Sequence, residues 1–319
     1  MPIELQVEEL PNAMTSHHSM LETFLRHAKL GHTLASIDRV SGGDINCCYR
    51  LTTDNGVLFA KLHAGTHQGF FEAEYKGLRL LQEHGSFRYG ETDHIRCPTP
   101  LYAGVLAGRQ CLLMEHIELN HNGDEARLGR ALAEFHATTP KTWNGRGKMQ
   151  PRYGLSYSNF IGHSVQHNTI CTSWRDFWVN NRLLPLLSHE SARPLVHHRA
   201  PLIARISELL EGYSPQASLL HGDLWCGNKA YDTTGTPVIF DPAVYYGDRE
   251  TDIAMASLFG GFSKQFFSAY EKTWPFLKGY QARKPVYQLY HLLNHLKLFG
   301  SRYLESSKHT ILAIMNSYP

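Results

Sequence analysis

The sequence predicts an α+β chain of two lobes, a small β-rich N-terminal lobe over residues 1–115 and a larger, mainly helical C-terminal lobe over 116–319. Three observations predict it. The chain has 319 residues, beyond the size at which a single core usually keeps growing. Between residues 35 and 119 short strand-like runs are separated by glycine turns. After His121 the apolar spacing turns helical and stays so for most of the chain.

The elements follow in order. SMLETFLRHAKLG (19–31) has helical apolar spacing and ends on glycine. ASIDRV (35–40), CCYRLTT (47–53) and VLFAKLH (57–63) read as strands, with SGGDIN (41–46) and Asp54–Asn55–Gly56 as the turns between them. GFFEAEYKGLRLLQEHG (69–85) reads as a helix with a glycine stop. CPTPLYAGVLAGRQCLLMEHIEL (97–119) supplies two more strands around Gly108. Helical spacing then marks 125–139, 172–187, 201–213 and 287–304, and short strand-like pieces interrupt it around 219–242. No internal repeat or low-complexity stretch is present.

Composition narrows the class. Hydrophobic residues make up 42% and charged residues 19%, an ordinary globular balance. A net charge of +2 gives no support to nucleic acid or an anionic membrane as partner. No apolar run is long enough to cross a bilayer, and the acidic N-terminus lacks a signal-peptide layout, so the expected location is the cytoplasm. The six cysteines contain no C-x-x-C pair, and reduced thiols are expected. The 20 histidines are scattered without metal-ligand spacing.

The chemistry lies in residues far apart in the chain. Transfer of a γ-phosphoryl group needs phosphate charge neutralised, magnesium held, and a hydroxyl aligned and relieved of its proton. Lys61 closes the strand LFAK, as the lysine of V-A-I-K does in protein kinases. Glu74 on the next helix can pair with it, with Glu72 as a competitor. Gly42 and Gly43 sit in a partial glycine loop that lacks the full G-x-G-x-x-G. HGDLWCGN (221–228) sets Asp223 and Asn228 at the spacing of the kinase catalytic loop H-R-D-L-x-x-x-N. Asp241 follows the apolar strand PVIF at the place of the D-F-G aspartate, with Pro242 and Ala243 in place of Phe and Gly. Alone, Lys61 fits a solvated strand end and Glu74 a surface pair. In one fixed order they read as an ATP- and Mg²⁺-dependent kinase of protein-kinase-like fold.

LLHGDLWCGN, IFDPAVYYGDRETDIAM, LYHLLNHLKLFG, LAEFHATT and YGLSYSNFIG are similar to signature segments of the fructosamine kinase (ketosamine-3-kinase) family, relatives of aminoglycoside phosphotransferases and choline kinases. The resemblance runs from mid-chain almost to the end. Asp44 and the Cys47–Cys48 pair depart from the family's glycine loop, and no thiol-based regulation is carried over. The resemblance implies ATP-dependent phosphorylation of the 3-hydroxyl of a ketosamine, the sugar adduct that glycation leaves on lysine or a free amine. The unstable 3-phosphate then falls apart and frees the amine. The sugar comes only from the resemblance; the kinase also comes from spacing. Phosphorylation of another small hydroxyl compound, of the aminoglycoside or choline type, is the competing enzymatic reading. A non-catalytic pseudokinase is the alternative of a different class.

The expected roles are these. Asp223 accepts the proton of the attacking hydroxyl. Asn228 and Asp241 hold Mg²⁺. Met114, Glu115 and Ile117, in the MEHI connection, offer backbone groups to adenine or form a plain lobe connection. Trp225 either flanks the acceptor pocket, where an indole suits a sugar face and a cationic amine, or anchors the loop in the core. His295 resembles a family substrate-side position. Arg249 and Asp252 are expected to brace the catalytic loop and cap the helix after it. Cys226 is read as a small filler. Tyr245 and Tyr246 line the cleft or pack under it. The preferred ketose, a free or protein-bound acceptor, and the oligomeric state are left open.

Overall fold

A computed structural model describes residues 13–31, 33–40, 46–64, 69–85, 94–106, 108–138 and 152–317. The chain divides into two compact units, Met1–Tyr75 with Pro100–His116, and Lys76–Thr99 with Ile117–Pro319. Residues 76–99, which a linear boundary at 115 would assign to the first, group with the second.

The first unit is a sheet with a helix on one face. Helix α1 (Ala13–Ala28) precedes β1 (Leu34–Val40), β2 (Cys47–Thr53) and β3 (Gly56–His63). Helix α2 (Phe70–Gly85), assigned to the second unit from Lys76 on, follows, then β4 (Pro100–Leu106) and β5 (Arg109–Glu115). The five strands are antiparallel in the order β1-β2-β3-β5-β4. Thr53 pairs with Gly56, so the β2–β3 turn is the two-residue loop Asp54–Asn55, the tight connection that such a dipeptide favours. Leu21, Phe24 and Leu25 of α1 pack with Leu34, Tyr49, Leu51, Ala60, Leu62, Cys111 and Leu113. That face takes alternate strand residues, which sends Lys61 to the opposite one. Residues 41–45, with Gly42 and Gly43, lie outside the described residues.

The second unit is mainly helical. It contains α3 (Glu125–Ala137), the hairpin β6 (Asn159–Ile161) and β7 (Ser164–Gln166), α4 (Trp174–Phe177), α5 (Leu184–Leu187) and α6 (Val196–Leu209). Next come β8 (Ala217–Leu220), β9 (Lys229–Tyr231), β10 (Pro237–Ile239) and β11 (Tyr245–Asp248). Helices α7 (Glu250–Ala256), α8 (Lys264–Thr273), α9 (Tyr280–Phe299) and α10 (Leu304–Asn316) complete it. Several details depart from the sequence expectation. Residues 172–187 are not one α-helix: a π-helical stretch, Trp178–Leu183, joins α4 to α5. Helices α6 and α9 begin before the expected starts, with Pro201 and Pro285 inside them. Strands β6, β7 and β11 and helices α8 and α10 were not expected at all.

Two short β pairings position the loops that matter. Strand β8 pairs antiparallel with β11, Leu220 opposite Tyr245. The chain leaving β8 at His221 and the chain entering β11 from Val244 therefore meet at one end. Strand β9 pairs with β10, Lys229 opposite Ile239, and the Phe240 N–H donates to the Asn228 carbonyl, 3.1 Å. Asn228 and Asp241, thirteen positions apart in number, thus flank the same end of a hairpin.

Candidate active site

Asp223 sits in the turn that follows β8. Gly222 before it has φ +83°, and a Cβ there would lie 2.0 Å from the Ala243 carbonyl oxygen. Only glycine fits so close an approach with a positive φ. The Ala243 N–H donates to the His221 carbonyl at 2.8 Å, so the Asp223 loop and the Asp241 loop are tied by backbone. Asp252, buried in the first turn of α7, accepts from the backbone N–H of His221 at 2.7 Å and of Gly222 at 2.9 Å. His136 donates to the same carboxylate at 3.2 Å and accepts from the Tyr270 hydroxyl at 2.8 Å. Burial pushes the Asp252 carboxyl up, but the hydrogen bonds from His136 and Gly222 hold it below the usual carboxylate value.

His221 is a brace rather than a base. Its Nε2 faces the Phe240 carbonyl at 2.9 Å and its Nδ1 faces the Asp223 N–H at 3.3 Å. Those partners require Nε2–H and a bare Nδ1, the neutral ring. Burial lowers its pKa, which agrees.

Asp223 is half-buried and Asp241 is exposed. Burial, then the charges of Asp241 and Asp252, push the Asp223 carboxyl up to about 7. Asp241 has φ +58°, in the left-handed region that a side chain other than glycine rarely adopts. The Asn228 amide nitrogen donates to the Asp223 carbonyl at 2.9 Å, which leaves its amide oxygen as the atom open to a cation. An amide oxygen and a carboxylate, beside a second carboxylate whose charge is disfavoured, make a hard-oxygen set with negative charge to spare. That set fits Mg²⁺, which takes few protein ligands and keeps its waters.

Trp225 and Cys226 take different places. Trp225 is 39% exposed and lays its ring against Gly227, where a Cβ would meet the indole at 2.3 Å. It is not a core anchor. Cys226 packs against Gly261, as a filler would; a Cβ on Gly261 would lie 2.7 Å from its Sγ. His295 is partly buried, donates from Nδ1 to the His291 carbonyl at 2.8 Å, and packs among Phe259, Phe299 and Tyr303. Tyr245 and Tyr246 are buried in β11, under the loops.

In the first unit Lys61 and Glu74 form an ion pair of 2.6 Å, with side chains 5% and 12% exposed. Glu72 is exposed. Met114 and Glu115 end β5, opposite Phe59 and Leu58. Ile117 falls in the second unit.

Sequence reasoning missed several contributors. His136 lay unused inside the segment LAEFHATT, and Asp248 was overlooked. Arg249 is the N-cap of α7 but its side chain makes no capping bond; the Asp248 carboxylate beside it accepts from the Glu250 N–H at 3.0 Å. The Arg249 guanidinium instead bonds the carbonyls of Trp274 and Pro275 and stacks on Trp274 at 3.9 Å. Asp252 braces the loop as expected.

The fold is that of the kinase-like phosphotransferases. The aminoglycoside phosphotransferase APH(4)-Ia superposes with a TM-score of 0.64 over 97% of this chain and 100% of its own, at 15% identity, a likeness of fold alone. A protein from Haemophilus somnus classed as a fructosamine-3-kinase superposes with a TM-score of 0.76 at 25% identity, over 92% of this chain and 96% of its own. The sequence profile of the fructosamine kinase family matches residues 17–317. The chain belongs to that family. A protein classed as a ketoamine kinase in Enterococcus faecium is 37% identical over 89% of this chain and 95% of its own. The chloroplastic protein-ribulosamine 3-kinase of Arabidopsis thaliana is 37% identical over 89% of this chain and 83% of its own.

Proposed function

We propose that this chain transfers the γ-phosphoryl group of ATP to the 3-hydroxyl of a ketosamine, with a fructosamine or ribulosamine adduct on lysine or a free amine as acceptor. Family membership over nearly the whole chain carries the class of substrate. The observation that carries the chemistry is Asp223, half-buried, its carboxyl raised by burial, on a loop whose backbone is held by His221 at the Asp223 N–H and by Asn228 at the Asp223 carbonyl. A base works best when its pKa lies near the working pH.

Asp223 takes the proton of the acceptor hydroxyl as its oxygen bonds to the γ-phosphorus. The bond from that phosphorus to the bridging oxygen of ADP breaks, and ADP carries away the electron pair. Asn228 and Asp241 are the residues that would hold Mg²⁺, and the ion supplies neutralising charge to the phosphates. Lys61, positioned by Glu74, is assigned to phosphate contact. Met114, Glu115 and Ile117 are assigned to adenine through their backbone, and Gly42 and Gly43 to the phosphates. Trp225 offers its open indole face to the sugar, and His295 lies in an aromatic cluster suited to the acceptor's far end. Loss of phosphate from the 3-phosphoketosamine then frees the amine, so the outcome is deglycation.

The six cysteines are free thiols, which suits a reducing compartment such as the cytoplasm. Among the described residues no helix is long and apolar enough to cross a membrane. The test is coupled ADP release with ribulose-lysine and fructose-lysine. Turnover on either supports the reading. Turnover on choline or an aminoglycoside with none on the ketosamines leaves only the phosphotransferase class. ATP binding without turnover on any acceptor points to a pseudokinase.

A further inference from the structure

The segment YGLSYSNFIG and the hairpin it enters have no part in the chemistry above, yet the hairpin holds an unusual set of buried polar side chains. Asn159, Gln166 and Asn168 are each at most 3% exposed, and Arg182 is fully buried. Arg182 lies on the π-helical stretch, stacked 4.0 Å over the Tyr245 ring and 4.7 Å over Phe177. A buried guanidinium is costly unless its donors are used. Nη1 donates to the carbonyls of His167 and Asn181 and Nη2 to the Asn168 Oδ1 at 2.8 Å, while the buried Nε has no hydrogen-bond partner among the described residues.

Arginine only donates, and that fixes every amide beyond it. Asn168 must present oxygen to Arg182, so its nitrogen points away and donates to the Asn159 Oδ1 at 2.8 Å and the Tyr157 carbonyl at 3.1 Å. Asn159 then has its oxygen occupied, and its nitrogen donates to the Val244 carbonyl at 2.8 Å. The Gln166 nitrogen donates to the same Asn159 oxygen at 2.8 Å and to the Ala243 carbonyl at 2.9 Å. The Gln166 oxygen accepts from the Tyr290 hydroxyl at 2.8 Å. None of these three amides can flip without setting oxygen against oxygen or nitrogen against nitrogen.

The two carbonyls at the end of this relay belong to Ala243 and Val244, two and three residues after Asp241. Asp241 itself stands at φ +58°, a conformation that persists only where surrounding contacts impose it. We propose that the Arg182–Asn168–Asn159–Gln166 relay is a positioning device for the metal loop: it clamps the backbone at Ala243–Val244 and so holds the Asp241 carboxylate where it meets the cation. Its members are positioning residues that touch neither metal nor substrate. The inference rests on the assignment of Asp241 as a metal ligand.

The test measures binding of Mn²⁺, an oxygen-seeking ion with an electron-spin signal, in the presence of a non-hydrolysable ATP analogue. Near-UV dichroism and thermal unfolding report folding. Gln166→Met keeps the volume and removes the donor to Ala243. Its Mn²⁺ dissociation constant should rise roughly tenfold, while affinity for the analogue in EDTA stays within about twofold. Unchanged Mn²⁺ affinity in the folded variant overturns the proposal, because a purely structural residue would lower stability without touching metal affinity. Asp241→Asn separates the two ideas. Weakened Mn²⁺ binding there with none in Gln166→Met removes the relay and keeps the metal assignment. No weakening in either variant removes both. Should Gln166→Met fail to fold, Tyr290→Phe deletes only the hydroxyl that holds Gln166. It should shift Mn²⁺ affinity in the same direction by a smaller factor, and no shift overturns the proposal.

Discussion

Asp252 holds Gly222 from thirty residues away: its Oδ1 accepts the Gly222 N–H at 2.9 Å while its Oδ2 takes the neighbouring His221 N–H at 2.7 Å. The loop that carries Asp223 is thus shaped by a carboxylate that never reaches the reaction. Replacing Asp252 with Ala strands two buried N–H groups and the His136 Nε2. The expected cost is about 3 kcal/mol or more, read by urea unfolding, with a matching fall in kcat. Stability close to that of the parent protein would show that water fills the role.

Gly222→Ala tests the same loop from the other side. The added methyl would stand 2.0 Å from the Ala243 oxygen, so the two loops must part. Activity should fall at least about a hundredfold, since misplacement of about an ångström has that effect. Retained turnover would mean that the close approach is dispensable.

Asp223→Asn should lower kcat by about 10²–10⁴ with little change in ATP affinity. It carries a second, pH-dependent consequence. The Asp223 carboxyl is raised in the folded protein from 3.8 to about 7. A raised carboxyl adds stability below its unfolded pKa and loses that contribution as pH climbs through the folded value. Metal-free parent protein should therefore lose stability between about pH 4 and 7, while the Asn variant lacks that loss. At pH 8 without metal the variant should melt higher than the parent, and saturating Mg²⁺ with nucleotide should shrink the gap. Equal melting curves across that range would place the Asp223 carboxyl near its ordinary value.

In Glu74→Gln the Lys61 ammonium keeps its burial and loses the carboxylate 2.6 Å away. Breaking such a pair costs roughly 3 kcal/mol in thermal or urea unfolding, and the ATP KM should rise about tenfold as the lysine loses its fixed position. An ATP KM equal to that of the parent would detach the pair from nucleotide binding.

Trp225 offers the sharpest division between acceptor and nucleotide. Its ring is 39% exposed, so Trp225→Ala should unfold close to the parent. The acceptor KM should rise several-fold, on the order of a lost aromatic contact of about 1 kcal/mol, with ATP KM unchanged. An equal loss of ATP affinity would show that the indole shapes the loop instead.

Local signals made the five-stranded sheet legible. Alternating apolar residues, the Asp54–Asn55 turn and the glycines at 56 and 108 are each set by a few neighbouring residues. The spacing of Asp223, Asn228 and Asp241 was legible for the same reason, since one short hairpin joins them. Helix starts were misread where proline stood near them, because Pro201 and Pro285 are tolerated inside α6 and α9. The π-helical turn left no trace, as its apolar spacing differs little from that of an α-helix. The roles of Asn159, Gln166 and Asn168 were hidden because their partners are remote: Gln166 finds Ala243 77 positions away and Tyr290 124 positions away. The bracing role of His136 was hidden likewise, its Asp252 partner lying 116 positions on. Polarity is visible in a sequence; the partner that makes it affordable is not.

These long reaches bear on the chain as it emerges from the ribosome. Asp223 is made before the carboxylate that shapes its turn, and the amide that steadies Ala243 waits for a tyrosine near the end. Until residue 290 is out, the nascent chain holds the groups proposed for phosphoryl transfer without the hydroxyl that fixes Gln166. On the roles proposed above, catalytic competence thus waits for α9 of the second unit.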